Sequence, residues 1–240
     1  MLYPVWFLVV ILAYFVKGTA GFGNTPVHTG LMAFFLNNAD LTPVDFVLTA
    51  PANVIMTVKH RKHLVPGLWI PGALITMLAV IPGVLLLKNM DSRVLKVLFG
   101  FVIILLGADM LRKKGPGRKA PPKWAVLTLT GVSGVINGLF GIGVLLAAVM
   151  GRVIEDSKTF KANISAIFTA GNVVMLPVYL LTGLMTREVV LRALSLYPAM
   201  LLGLFLGIRF AGRLKEETVR RCTAVLLVAC GLFLVIGNLR

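Results

Sequence analysis

Carboxylates are scarce in this chain: nine Asp and Glu stand against 24 Lys and Arg among 240 residues. Charged residues of both signs make up only 14% of the sequence, hydrophobic residues make up 58%, and the mean hydropathy is +0.92. Those values exclude an ordinary water-soluble domain and place the chain in a membrane. The few acids are also peripheral in the sequence pattern. Asp40 and Asp45 are expected near the outer surface, and Asp109, Glu155, Asp156, Glu216 and Glu217 near the inner one. With no acid expected at mid-membrane, a carboxylate relay and an acidic cation-selecting ring are both disfavoured. Cysteine is nearly absent too. Cys222 and Cys230 fall eight positions apart in one expected helix, over ~10 Å by helical rise, so they cannot bridge. Three histidines without a paired carboxylate or cysteine cluster make no zinc site, and His60 and His63 lie in the wetted connector KHRKH. Neither a basic leader nor a small-residue cleavage site precedes the apolar start MLYPVWFLVV, so no removed signal peptide is expected.

What is abundant is apolar sequence long enough to cross a ~30 Å hydrocarbon layer, at 64–87, 94–111, 159–181, 189–211 and 218–238, with a shorter stretch at 43–58. Two further stretches, 2–36 and 124–151, are interrupted by glycine clusters. The one long polar connector is RKKGPGRKAPPK. It divides the chain into a first transmembrane repeat (1–111), a basic cytoplasmic linker (112–123) and a second repeat (124–240). GTAGFG at 18–23 matches GLFGIG at 138–143 with a shift of 120, and PANVIM at 51–56 matches AGNVVM at 170–175 with a shift of 119. DSRVLKVLFGFVIILLG at 91–107 follows KEETVRRCTAVLLVACG at 215–231 in its charged start, apolar body and final glycine, at a shift of 124. Order and spacing, more than identity, make the duplication.

Charge decides how the glycine-broken stretches run. If each crosses the membrane once, the basic residues divide 12 to 11 between the two sides. If each enters and returns, 17 fall on the cytoplasmic side and 6 outside, as the positive-inside tendency requires. The expected fold is therefore an all-α polytopic membrane protein of two inverted repeats. Each holds a Gly-interrupted re-entrant or broken hairpin and three transmembrane helices, with both termini outside; counted as continuous runs, seven or eight spans result.

A helix break in hydrocarbon exposes backbone groups that need protein, water or ligand. In transporters built this way the N-terminal ends of half-helices attract anions. Gly21, Gly23, Gly141 and Gly143 permit such turns, and Asn24 and Thr25 can cap or donate. Lys17 is the one basic residue outside the connectors and termini; its repeat counterpart is Asn137. Asn53 and Asn172 form a second matched pair near the middle of their spans. These ten residues are the candidate substrate contacts, with helix packing the competing role for the glycines and interhelical bonding for the amides. His28, embedded after the first break, is the candidate for proton coupling, against a structural hydrogen bond. Asn163 and Ser165 are candidates for the cavity mouth or a helix contact. GLFLG at 203–207 fits packing within the bundle better than a dimer seam. GLFGIG also resembles a nucleotide-binding glycine loop, but it has no soluble strand before it.

KGTAGFGNTPV followed by PANVIM, and GVINGLFGIGV followed by KANISAIFTAGNVV, resemble the two halves of the sulfite exporter TauE/SafE family of membrane permeases. The resemblance covers nearly the whole chain. It implies a cytoplasmic-membrane carrier of sulfite, organosulfonates or related sulfur-containing and organic anions, driven by an ion gradient, protons included; the expected mechanism, from the broken inverted repeats, is alternating access around a central site. The expected partners are a small anion and membrane lipids, with no nucleic acid and no bound cofactor or metal; homo-oligomerisation stays open. A passive anion channel is the alternative. A membrane enzyme would need a nucleophile, acid and base gathered together, and no such set stands out.

Overall fold

The computed structural model describes residues 2–111, 122–154, 156–211, 213 and 216–238. Residues 112–121 of the expected basic linker lie outside these. The chain is helical throughout the described residues: α1 Leu2–Ala20, α2 Asn24–Met32, α3 Asn38–Lys59, α4 Pro66–Asn89, α5 Ser92–Leu111, α6 Lys123–Phe140, α7 Val144–Met150, α8 Ser157–Thr182, α9 Arg187–Phe210 and α10 Glu216–Asn238. Seven of them, α1, α3, α4, α5, α8, α9 and α10, are long and apolar enough to cross a membrane. Their outward faces carry bare apolar side chains such as Leu78 and Leu181, 73% and 87% exposed, which only lipid can cover at acceptable cost. The protein is an all-α polytopic membrane protein.

Both glycine clusters interrupt the helix, and the two interruptions begin alike. Gly21 and Gly141 take the left-handed conformation, at φ 89° and 70°, and end α1 and α6. Gly21 N–H donates to the Lys17 carbonyl and Gly141 N–H to the Asn137 carbonyl, each at 2.7 Å. A side chain at either position would be strained, which explains why glycine recurs 120 residues apart. The helices that restart are short: nine residues in α2 and seven in α7. Pro26 lies in the first turn of α2, where its missing N–H leaves no intrahelical bond unmade.

Helix pairing is closest between α5 and α10, α4 and α6, α1 and α9, and α4 and α8. Small residues set these approaches. A Cβ on Gly138 of α6 would lie 2.2 Å from the Val80 carbonyl oxygen of α4, and one on Gly83 of α4 would lie 2.2 Å from the Val135 carbonyl oxygen of α6. The α1–α9 crossing uses the matching positions, Gly18 against Leu204 and Gly207 against Phe15. Gly203 meets the Ile11 backbone, so both glycines of GLFLG are spent inside the bundle. Cys222 and Cys230 are free thiols, one exposed and one buried.

Candidate functional site

Side-chain contacts set α1 and α3 running in the same direction, with α2 antiparallel between them. Lys17 of α1 meets Asn53 of α3, Tyr14 meets Thr49, and Trp6 reaches Asp45 through His28 of α2. These residues build one connected polar layer inside the bundle. Lys17 is buried, and its Nζ donates to Asn53 Oδ1 at 2.7 Å and Asn24 Oδ1 at 3.3 Å. Among the described residues no carboxylate lies within 4.0 Å of that ammonium. Its charge is held by neutral amide dipoles.

Asp45 stands at the other end of the layer. Its Oδ2 accepts from Thr25 Oγ1 at 2.5 Å and from Thr49 Oγ1 at 3.2 Å, and its Oδ1 lies 2.9 Å from His28 Nδ1. Asn24 joins the two ends: its carbonyl oxygen faces Lys17, and its Nδ2 donates to Thr49 Oγ1 at 2.7 Å and to Thr25 Oγ1 at 3.3 Å. Only that amide orientation puts an acceptor toward the cation and donors toward the hydroxyls. With the Thr49 proton given to Asp45, Tyr14 donates to Thr49 at 2.9 Å.

His28 is fixed by its neighbours. Indole Nε1 can only donate, so the 2.7 Å bond from Trp6 Nε1 requires an unprotonated His28 Nε2. The ring proton is therefore on Nδ1, where it is given to Asp45 Oδ1. While the Trp6 bond stands, His28 has no lone pair free for another proton.

A cavity of about 30 Å³, room enough for a water molecule, lies against this layer. Nine of the ten expected contacts line it: Lys17, Gly23, Asn24, Thr25 and Asn53 from the first half, and Asn137, Gly141, Gly143 and Asn172 from the second. Gly21 does not; it sits behind the turn under Lys161, whose Nζ caps α1 by donating to the Thr19 carbonyl at 2.6 Å. The second break closes over the first. A Cβ on Gly141 would lie 3.2 Å from Thr25 Cγ2 and 3.7 Å from Asp45 Oδ2. Asn172 Nδ2 is buried with no partner among the described residues, while Asn137 has only a 3.9 Å contact to the Met175 sulfur.

The two halves contribute unequally. At the shift of 119 that aligns Asn53 with Asn172, Asp45 corresponds to Ile164 and Thr49 to Phe168. Phe168 fills the space beside the second break, so closely that a Cβ on Gly143 would lie 2.0 Å from its ring. One N–H at the start of α7, that of Leu146, is already given to Ser133 Oγ at 2.9 Å. The charged and hydroxyl groups of the lining are first-half; the second half adds Asn137 and Asn172 and an apolar wall of Phe168 and Met175.

Comparison with known proteins fits this geometry to a family. The model described as "Sulfite exporter TauE/SafE" matches residues 6–234, nearly the full chain and both halves of the cavity. The chain belongs to the TauE/SafE family. This TauE/SafE protein is also 28% identical over 193 residues to the "Probable inner membrane transporter protein TsaS" of Comamonas testosteroni, covering 78% of this chain and 80% of the relative. No solved structure matches it. Membership makes it a membrane transporter and not an enzyme.

Asp45 corrects the sequence reading. It was expected near the outer surface, yet it is 1% exposed inside the polar layer. The polar run NADLT at 38–42 reads as connector, but it forms the first turn of α3, so the span begins five residues earlier than the apolar pattern shows and Asp45 lies about 10 Å along it. Trp6 gave no signal in an apolar run. Thr49 bonds to Asp45, Asn24 and Tyr14, whereas Thr57 gives its hydroxyl hydrogen to the Asn53 carbonyl of the preceding turn at 2.9 Å. Asn163 binds the α3–α4 connector through Val65 N–H and the His63 carbonyl, which is a helix contact away from the cavity.

Proposed function

We propose that this chain is a secondary transporter of small organic or sulfur-containing anions in the inner membrane, with the cavity at the two helix breaks as its substrate site. The observation that carries this reading is Lys17: a buried ammonium on the cavity wall, bonded to two neutral amide oxygens and, among the described residues, to no carboxylate. A buried cation so held gains most from an incoming anion. Asn172 Nδ2, unpartnered on the opposite wall, offers a further donor. The apolar wall of Phe168 and Met175 fits an organic remainder better than bare inorganic sulfite.

In this reading the cavity of about 30 Å³ lies between the two halves and loads when they part. Alternating access by inverted repeats is the motion this reading adopts. Its support is reciprocal pairing: α1 with α9 and α4 with α6 use Gly18 and Gly207, and Gly138 and Gly83, positions related by shifts of 120 and 124. Likewise Gly100 meets Gly231 while Gly107 meets Ala224, each contact being the other under the 124-residue shift. Termini outside and a cytoplasmic linker follow from the basic-residue count.

The test is flux in reconstituted liposomes with methanesulfonate, benzenesulfonate, sulfite, thiosulfate, taurine and acetate. Saturable counterflow of labelled sulfonate, competed by the others in a defined order, is expected; large uncoupled single-channel currents would assign a pore instead. A second expectation concerns selectivity. Phe168→Ala cuts back the apolar wall, opens room for an aromatic remainder and should raise benzenesulfonate relative to methanesulfonate by roughly tenfold or more in competition counterflow. An unchanged ratio would remove Phe168 from the substrate wall.

A further inference from the structure

We infer that Asp45 is a proton site, and that each monovalent anion entering the cavity is accompanied by one proton on Asp45 Oδ2. The inference rests on the reading of the cavity as an anion site and starts from its charge. A carboxylate on the wall of an anion site is an anomaly: Lys17 and Asp45 both line the cavity, and both are 1% exposed. With Lys17 charged and Asp45 ionised, the unloaded site is neutral. A monovalent anion alone would leave a net negative charge buried beside Asp45, the arrangement that low-polarity surroundings penalise most. One proton restores neutrality.

The hydrogen bonds specify where that proton goes. In the unloaded site three donors converge on Asp45: Thr25 and Thr49 hydroxyls on Oδ2 and His28 Nδ1–H on Oδ1, the pattern of an ionised carboxylate. Both threonine hydrogens are thereby turned away from any substrate. A proton given up by hydronium on the open side, leaving water behind and forming an O–H bond at Oδ2, makes that oxygen a donor. Thr25 Oγ1, 2.5 Å away, then accepts, and its own hydrogen is released toward the cavity it lines. Protonation thus removes a repelling charge and frees a donor for the anion in one step.

The neighbouring titratable groups are poor alternatives. His28 from α2 has Nε2 engaged by Trp6 and Nδ1 engaged by Asp45. Lys17 from α1 is turned to Asn24 and Asn53 as a hydrogen-bond donor, Tyr14 from α1 gives its hydroxyl hydrogen to Thr49, and Tyr179 from α8 is a buried phenol, so none of them presents a basic site for the proton. Tyr197 from α9 gives its hydroxyl to the Val47 carbonyl at 3.1 Å. Within α3, Thr49 is the polar contact.

The consequence is electroneutral anion and proton symport. Methanesulfonate is the appropriate probe, being a strong acid that carries no proton across lipid by itself. Proteoliposomes containing a pH-sensitive dye should show lumenal acidification when methanesulfonate is added outside, at about one proton per labelled anion and insensitive to a potassium diffusion potential. Wild-type anion uptake with no proton movement, or with protons leaving, would overturn the inference while leaving the anion-site reading intact. Absence of saturable uptake would instead remove that reading. Asp45→Asn should abolish acidification while labelled-anion counterflow remains measurable, and should flatten the pH dependence of half-saturation. Continued acidification by Asp45→Asn overturns the assignment. His28→Gln serves independently of whether Asp45→Asn folds: coupling near one proton per anion is expected to survive, and a folded His28→Gln that carries anion without protons would transfer the role to His28.

Discussion

Lys17→Met should weaken anion binding by about 10- to 150-fold, the range that follows when a charge-assisted hydrogen bond of ~1.5–3 kcal/mol is lost. The side chains are close in length, so the loss isolates the ammonium. Folding should change far less than binding. Removing a buried cation relieves its desolvation, while the Asn24 and Asn53 carbonyl oxygens lose their donor, and these effects oppose each other. Half-saturation in counterflow and the rise in melting temperature with added sulfonate are the two readouts. Lys62→Met, in the exposed connector, controls for bulk charge and should leave both unchanged. If Lys17→Met kept wild-type half-saturation while Lys62→Met also did, direct contact between Lys17 and substrate would be ruled out.

Gly138→Ala should be among the most damaging single methyls in the described scaffold. The new Cβ would lie 2.2 Å from the Val80 carbonyl oxygen and 3.0 Å from Gly83 Cα, so both obstructing atoms are backbone and neither can rotate aside. Overpacked side chains typically cost ~1–3 kcal/mol; contact with backbone puts this change at or above the top of that range. Function suffers as well. Gly138 stands three residues before Gly141, so pushing α6 away from α4 carries the second break off Thr25 and Asp45. A large drop in melting temperature and in the monodisperse fraction in detergent is expected. Gly237→Ala, with nothing within 4 Å, should cost nothing and can gain up to ~1 kcal/mol from helix propensity. Equal stability of the two variants would refute the close crossing.

The sequence made the scaffold readable where one residue type has few uses. Glycine in hydrocarbon permits a left-handed turn or a close crossing, and Gly21, Gly141, Gly83 and Gly138 take one or the other. Lys17 was conspicuous because nothing else basic lay between connectors, and the repeat shift found Asn137 and Asn172 opposite it on the cavity wall. Residues whose meaning depends on a distant partner were not readable. Asp45 looked superficial because residues 38–42 look like a loop, and its burial depends on Thr25 and His28 arriving from another helix. Trp6 is one aromatic among many apolar residues until its N–H meets His28. Phe168 acquires significance only through alignment with Thr49, which no local pattern announces.

The pairing of α1 with α9, α4 with α6 and α5 with α10 has a consequence for biosynthesis. Each of these first-half helices enters the bilayer before its principal partner has been translated, so the first half must wait, incompletely packed, for the second. Its costly polar groups do not have to wait. Trp6, Tyr14, Lys17, Asn24, Thr25, His28, Asp45, Thr49 and Asn53 bond to one another within the first 53 residues of the chain. The three helices that carry the buried lysine and aspartate can thus form their hydrogen bonds as they leave the insertion machinery, and what arrives later is mostly close-packing surface and the apolar wall.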